Sequence, residues 1–306
     1  MQVQTIHRTR HHFGWDNSIA PVLRVAPGEE VEFEIVDASG GQLDPSSTPE
    51  DVAKLDFARV NPVTGPVDVD GALPGDALLV EVLDFGPSGW GWTAIVPGFG
   101  LLAEDFPRPA LHLSRYGSAA VEWAPGIRLP FNPFCGTIGV APAEPGRHSV
   151  VPPREVGGNM DIRDLTPGAR LWLPVAVPGA LFSVGDTHAV QGDGEVCGTA
   201  VESPMSVRLR FDLVKEARLR RPQFAPGRRT LPADRGVHAT TGIAPDLMQA
   251  AKDAVRDMID YLGRTYNLPP EAAYMLCSVA VDLRISEVVD VPNWVVSAHL
   301  PKGIFT

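Results

Sequence analysis

The stretch from residue 182 to 195, FSVGDTHAVQGDGE, concentrates the groups best able to do chemistry. If Phe182 to Val190 is extended, alternate side chains share a face. Phe182 and Val184 then lie on the same side as Asp186 and His188, with Val190 beyond. That face begins apolar and goes on to present a carboxylate and an imidazole about 7 Å apart along the backbone. Gln191, Asp193 and Glu195 follow, interleaved with Gly192 and Gly194. A core does not tolerate so many acceptors side by side, because buried polar groups need partners and buried charges need counter-charges. A cation would satisfy them together. The spacing is equally that of a glycine-punctuated turn with solvated acids.

Other segments carry candidate groups. HHFGWDN at 11–17 places two imidazoles, an indole, Asp16 and an amide in seven positions, although a surface loop anchored by Trp15 reads the same way. Arg154, Glu155, Asn159 and Asp161 flank Gly157-Gly158, so donors and acceptors can turn toward one point. Gln42 follows a Gly40-Gly41 pair. Trp90 and Phe99 sit between glycines, as liners of an apolar pocket or as edge-covering loops. Cys135 suggests a nucleophile, but no basic residue adjoins it to lower its pKa, and a buried structural thiol fits better.

These residues need a scaffold of short strands and frequent turns. Gly 30 and Pro 30 are spread along the 306 residues rather than clustered, which predicts a mainly β fold. Glutamates alternate with Val31, Phe33 and Ile35 as in a half-buried strand, and Ala77–Asp84 is more apolar and more central. Pro27-Gly28, Pro74-Gly75, Pro167-Gly168 and Pro178-Gly179 each supply a turn before such a run. After about Ser206 the texture changes. Val207 to Val214 reads as a strand, Pro245 opens a helix closed by Gly263, Pro270 opens a second, and Trp294 to Leu300 reads as a last strand. The expected organisation is a β-sandwich-like core over 1–205, carrying most of the site, with an attached C-terminal α+β portion over 206–306. Net charge −11, from 26 basic and 37 acidic residues, argues against nucleic acid or an anionic membrane surface as partner. Three separated cysteines without a CxxC pair exclude a zinc ribbon. No apolar run approaches ~18 residues, so a soluble, cytoplasmic protein is expected.

In their order along the chain, several segments resemble the acetamidase/formamidase family: WDN at 15–17, Pro27-Gly28 with Asp37 and GGQ at 40–42, NPVTGP at 61–66, GA at 71–72 with PGD at 74–76, GWG at 89–91, CGTIG at 135–139, PPRE at 152–155 with GGN at 157–159, and GDTH at 185–188 with QGDGE at 191–195. The resemblance implies hydrolysis of small aliphatic amides to a carboxylic acid and ammonia, in a family that also includes enzymes acting on small lactams. It also implies a divalent metal, zinc in the first place, and a homo-oligomer. Among the matching positions, Asp186 and His188 have the chemistry to bind the metal, with Asp161 or Asp16 as a third ligand. Glu195 or Glu155, with Asp193 beside the former, could move protons. Asn159, Gln42 or backbone N–H groups could steady an oxyanion, and Trp90 with Phe99 could wall the acyl site. The rivals are a thiol amidase using Cys135 with Glu155 as base, and a non-catalytic sandwich holding a structural cation.

Overall fold

The structure, a computed structural model, describes residues 3–288 and 291–306. Two sheets face one another. The first runs in the order Gln4–Ile6, Glu30–Glu34, Ser206–Val214, Ala77–Gly86, Arg170–Pro174, Gln223–Ala225. The second runs Gly157–Asn159, Phe134–Gly139, Phe182–His188, Val63–Val69, His11–His12, with Leu23–Val25 added parallel to Val63–Val69. Period-two burial in Glu30–Glu34 sends Val31 and Phe33 inward and leaves the glutamates at the surface. Phe33 and Phe211 of the first sheet meet Phe182 of the second edge to face, with centroids 5.8 and 5.0 Å away. The fold is mainly β. The four turn glycines Gly28, Gly75, Gly168 and Gly179 all have positive φ, as Pro-Gly turns require.

A four-stranded sheet, ordered Ile127–Pro130, Ala120–Ala124, Ala110–Tyr116, Trp90–Ile95, lies beside the second sheet. Isolated bridges join the two at one residue, for Glu202 pairs with both Trp92 and His188.

The change of texture at Ser206 is not where the sandwich ends. Ser206–Val214 lies inside the first sheet, antiparallel to both Glu30–Glu34 and Ala77–Gly86. Its alternating Val207, Leu209 and Phe211 are fully buried there. The C-terminal α+β portion consists of the sheet Val237–Ala244, Trp294–Pro301, Asp282–Glu287, covered by helices Leu247–Tyr266 and Pro270–Ala280, and it shares one core with the sandwich. Asp246 caps the first helix by accepting from Gln249 N at 2.8 Å. That helix runs past Gly263 and ends on Asn267 in the left-handed region. Packing outweighs the glycine's helix cost, since Tyr266 in the added turn stacks on Phe305 at 3.6 Å. Among the described residues no helix is long and apolar enough to cross a membrane.

Candidate active site

Phe182–His188 runs between Phe134–Gly139 and Val63–Val69, so all seven of its residues are buried. Its plain alternation breaks at Asp186, whose φ is +56°. His188 Nε2 faces Asp186 Oδ1 at 3.1 Å and Glu202 Oε2 at 3.0 Å. Phe134 presses edge-on against the imidazole at 4.9 Å. Asp161 follows Gly157–Asn159 and is held by the Gly136 carbonyl, which accepts from Met160 N and Asp161 N. Glu195 completes the group from the glycine-rich loop. Donor atoms of Asp161, Asp186 and His188 lie within 4.8 Å of one another, as do those of His188, Glu195 and Glu202. Asp161, Asp186, Glu195 and the neighbouring Asn61 all have left-handed φ. Such strain in non-glycine residues persists where surrounding structure enforces it, commonly at functional sites.

Four carboxylates and one imidazole at this density perturb one another. Burial works against charge on His188, yet Glu202 and Asp186 push its pKa well above the ordinary value. Burial likewise opposes ionisation of Asp186, but attraction to His188 and its hydrogen bonds hold that carboxyl low. Asp161 is pushed up to about 7 by burial and by repulsion from Asp186. Burial also raises Glu202 to about 7, and lifts Glu195 well above the usual carboxylate range with help from Asp161. Asp161 Oδ1 is buried without a hydrogen-bond partner among the described residues, and Glu202 Oε2 is buried with the His188 ring nitrogen 3.0 Å away. The space between the side chains exists because residue 136 is glycine. A Cβ there would meet Asp161 Oδ1 at 2.4 Å, Asp186 Oδ2 at 2.7 Å and His188 Cε1 at 2.9 Å.

The cluster forms one end of a cavity of about 510 Å³. Its walls are apolar, from Leu55, Phe57, Trp92, Val96, Phe99 and Val151, and Asn61 and Asn159 add two amides beside the acids. Thr137 Oγ1 lies 2.6 Å from the Asn159 amide and reaches Asp186 Oδ2 at 3.2 Å. Asn61, with its amide nitrogen turned toward Asp186, donates to Oδ1 at 3.1 Å.

Of the residues expected from sequence, Asp186, His188, Asp161, Glu195, Asn159 and Phe99 come together here. The others lie elsewhere. Asp16 is fixed in its own turn, accepting from Ser18 N and Oγ at 2.9 and 2.7 Å. Glu155 is on the surface beside Arg221. Asp193 points to Arg163, 3.0 Å away. Gln42 braces its loop through Ser39 O and the Asp56 backbone. Trp90 packs into a small side cluster, and Trp92, two residues on, takes the cavity wall with Nε1 donating to Asp37 Oδ1 at 3.0 Å. Cys135 is buried in the core, where desolvation drives its thiol pKa far up, and Glu155 lies too far toward solvent to serve as its base. The thiol arrangement is therefore not built. Glu202, Asn61 and Trp92 were missed. Glu202 left one trace in the sequence, a single acid in the otherwise apolar and small run CGTAVESPM at 197–205.

Comparison with known proteins agrees on one group. A family model described as the acetamidase/formamidase family matches residues 2–149 and 145–306. A formamidase from Methylophilus methylotrophus is 29% identical, over 96% of this chain and 89% of that protein. An acetamidase from Mycolicibacterium smegmatis is 30% identical over 71% of this chain and 70% of its own length. The solved structure of a gamma lactamase from Delftia acidovorans superposes with a TM-score of 0.93 at 29% identity, covering 99% of this chain and 93% of that one. An acetamidase structure from Bacillus halodurans, 33% identical, gives 0.70 over 97% and 96%.

Proposed function

The chain belongs to the acetamidase/formamidase family, and from that premise we propose that it hydrolyses small aliphatic amides to a carboxylic acid and ammonia, and small lactams to the ring-opened amino acid. The observation that carries this is the buried cluster of Asp161, Asp186, His188, Glu195 and Glu202 closing an apolar-walled cavity. The residues fit a divalent cation. Asp161 Oδ1 is buried without a partner among the described residues, and Gly136 keeps open the space between it, Asp186 and His188. Mixed imidazole and carboxylate donors suit zinc, and Asp161, Asp186, His188 and Glu202 would hold it. When bound, such an ion supplies acidity to a water and polarises the amide carbonyl.

The protein's own groups account for the remaining steps. Glu195, whose carboxyl is pushed well above the usual range by burial and its acidic neighbours, is the group placed to take a proton from the attacking water and pass it to the departing nitrogen. The C–N bond breaks, the nitrogen of a linear amide leaves as ammonia while that of a lactam stays on the opened chain, and the water oxygen stays on the acyl carbon. Asn61 and Asn159 offer amide donors to the carbonyl oxygen as it gains charge. Phe57, Trp92, Val96 and Phe99 hold the acyl group and exclude water around it. We further infer a homo-oligomer, supported by exposed Val237, Ile243 and Met248 on the C-terminal portion.

Ammonia release from formamide and acetamide tests the reading, with Asp186→Ala expected to lose at least about a hundredfold in kcat. A wild-type protein inert toward every short amide and lactam would reject it, as would an Asp186→Ala variant of undiminished rate.

A further inference from the structure

Gln191 takes no part in the chemistry above, yet it is buried against the imidazole. Its Oε1 lies 2.9 Å from His188 Nδ1, and its Nε2 donates to the Asp161 carbonyl at 2.9 Å. A backbone carbonyl can only accept, so the amide nitrogen must face Asp161 and the amide oxygen must face the imidazole. An oxygen there demands a proton on Nδ1. That leaves Nε2 as the ring atom turned toward Asp186 and Glu202.

The Gln191 backbone is clamped from the C-terminal portion. Its carbonyl accepts from Arg163 Nη1 at 3.3 Å, and the same guanidinium is paired with Asp282 through both Nη atoms. Gly192 N donates to Ser278 O at 2.8 Å, and a Cβ on residue 192 would meet Val281 O at 2.2 Å. The turn therefore seats directly on the end of the Pro270–Ala280 helix.

We propose that Gln191 is a positioning residue: its carboxamide, clamped by the C-terminal portion through Arg163 and Gly192, holds Nδ1–H and fixes the direction of the His188 ring so that Nε2 faces the carboxylates. The proposal rests on the metal reading only for one of its two readouts. The first is zinc affinity, by competition with a chromophoric chelator. Gln191→Met removes the acceptor and weakens zinc by about 10–100-fold. Gln191→Glu keeps an acceptor for Nδ1–H while losing the donor to Asp161, and stays within about threefold of wild type. A residue that merely braced Asp161 would fail equally in both variants. The second readout, in the metal-free protein, is the slowly exchanging Nδ1–H signal of His188 in histidine-labelled NMR spectra, assigned by its loss in His188→Gln. It persists in wild type and Gln191→Glu and disappears in Gln191→Met.

A Met variant with the wild-type signal and zinc affinity overturns the proposal, as does a Glu variant that loses both. Should the Met variant not fold, Gln191→Asn, one methylene short of the imidazole, carries the same expectation. A wild-type protein without zinc affinity would count against the metal reading alone, and the NMR signal would still decide the role of Gln191.

Discussion

Gly136→Ala separates the site from the fold. Residue 136 lies in the Phe134–Gly139 strand and is not among the positive-φ glycines, so its backbone accepts alanine. The replacement should leave the unfolded chain slightly less free, a gain of about 0.4–1 kcal/mol where the native geometry tolerates it. The new methyl would nevertheless stand 2.4 Å from Asp161 Oδ1 and 2.7 Å from Asp186 Oδ2, where ordinary contact begins at 3.4 Å. Asp161 must retreat by about 1 Å, and a displacement of that size at a reacting centre costs about a hundredfold in rate. Retreat is constrained, because Gly136 O itself holds the Met160 and Asp161 amides. The expected protein is folded by circular dichroism, unfolds within a few degrees of wild type, and releases ammonia about a hundred times more slowly. Wild-type turnover in Gly136→Ala would refute the claim that these side chains converge on the reacting centre.

Four further outcomes follow from the same geometry. Glu202→Gln should lower kcat about 10–100-fold, whereas Asp16→Asn and Cys135→Ala should keep most of their ammonia release, measured side by side. Phe182→Ala removes the ring joining the two sheets and should cost about 3–5 kcal/mol in urea denaturation. His12, half-buried and bonded to Ser183 Oγ and Gly14 O, has its pKa lowered from 6.5 by desolvation. The unfolded chain then binds this proton more readily, so the His12 contribution is complete above about pH 6.5 and is lost as pH falls below it. His12→Gln should flatten that part of the acid slope in urea midpoints taken between pH 7.5 and 5. Light scattering on the purified protein should give a mass of at least two chains.

The scaffold was legible where physics is local. Pro-Gly turns and alternating apolar residues marked Glu30–Glu34, Ala77–Gly86 and Arg170–Pro174 because turn stereochemistry and strand period act within a few residues. Pro270 and the Trp294 run marked the last helix and strand for the same reason. Sheet order is not local, so nothing near Ser206 announced that Ser206–Val214 fills the middle of the first sheet. The site divides in the same way. Asp186, His188 and Glu195 lie within ten residues and drew attention as an acid-rich stretch after an apolar one. Glu202 reaches them only through bridge pairing with His188 and Trp92, a contact no spacing rule contains. Asp16 and Glu155 had suitable chemistry in glycine-rich loops, but those loops open to solvent, and Ser18 and Arg221 meet their charges there.

We propose above that the buried acids and His188 form a cation-dependent hydrolytic centre. Its most direct measurement is ammonia release from acetamide or formamide before chelation, after exhaustive chelation with metal content assayed, and after zinc is returned. Turnover should disappear with the metal and return with it, and Asp186→Ala should not be rescued. Undiminished turnover in protein shown to be free of metal would contradict it.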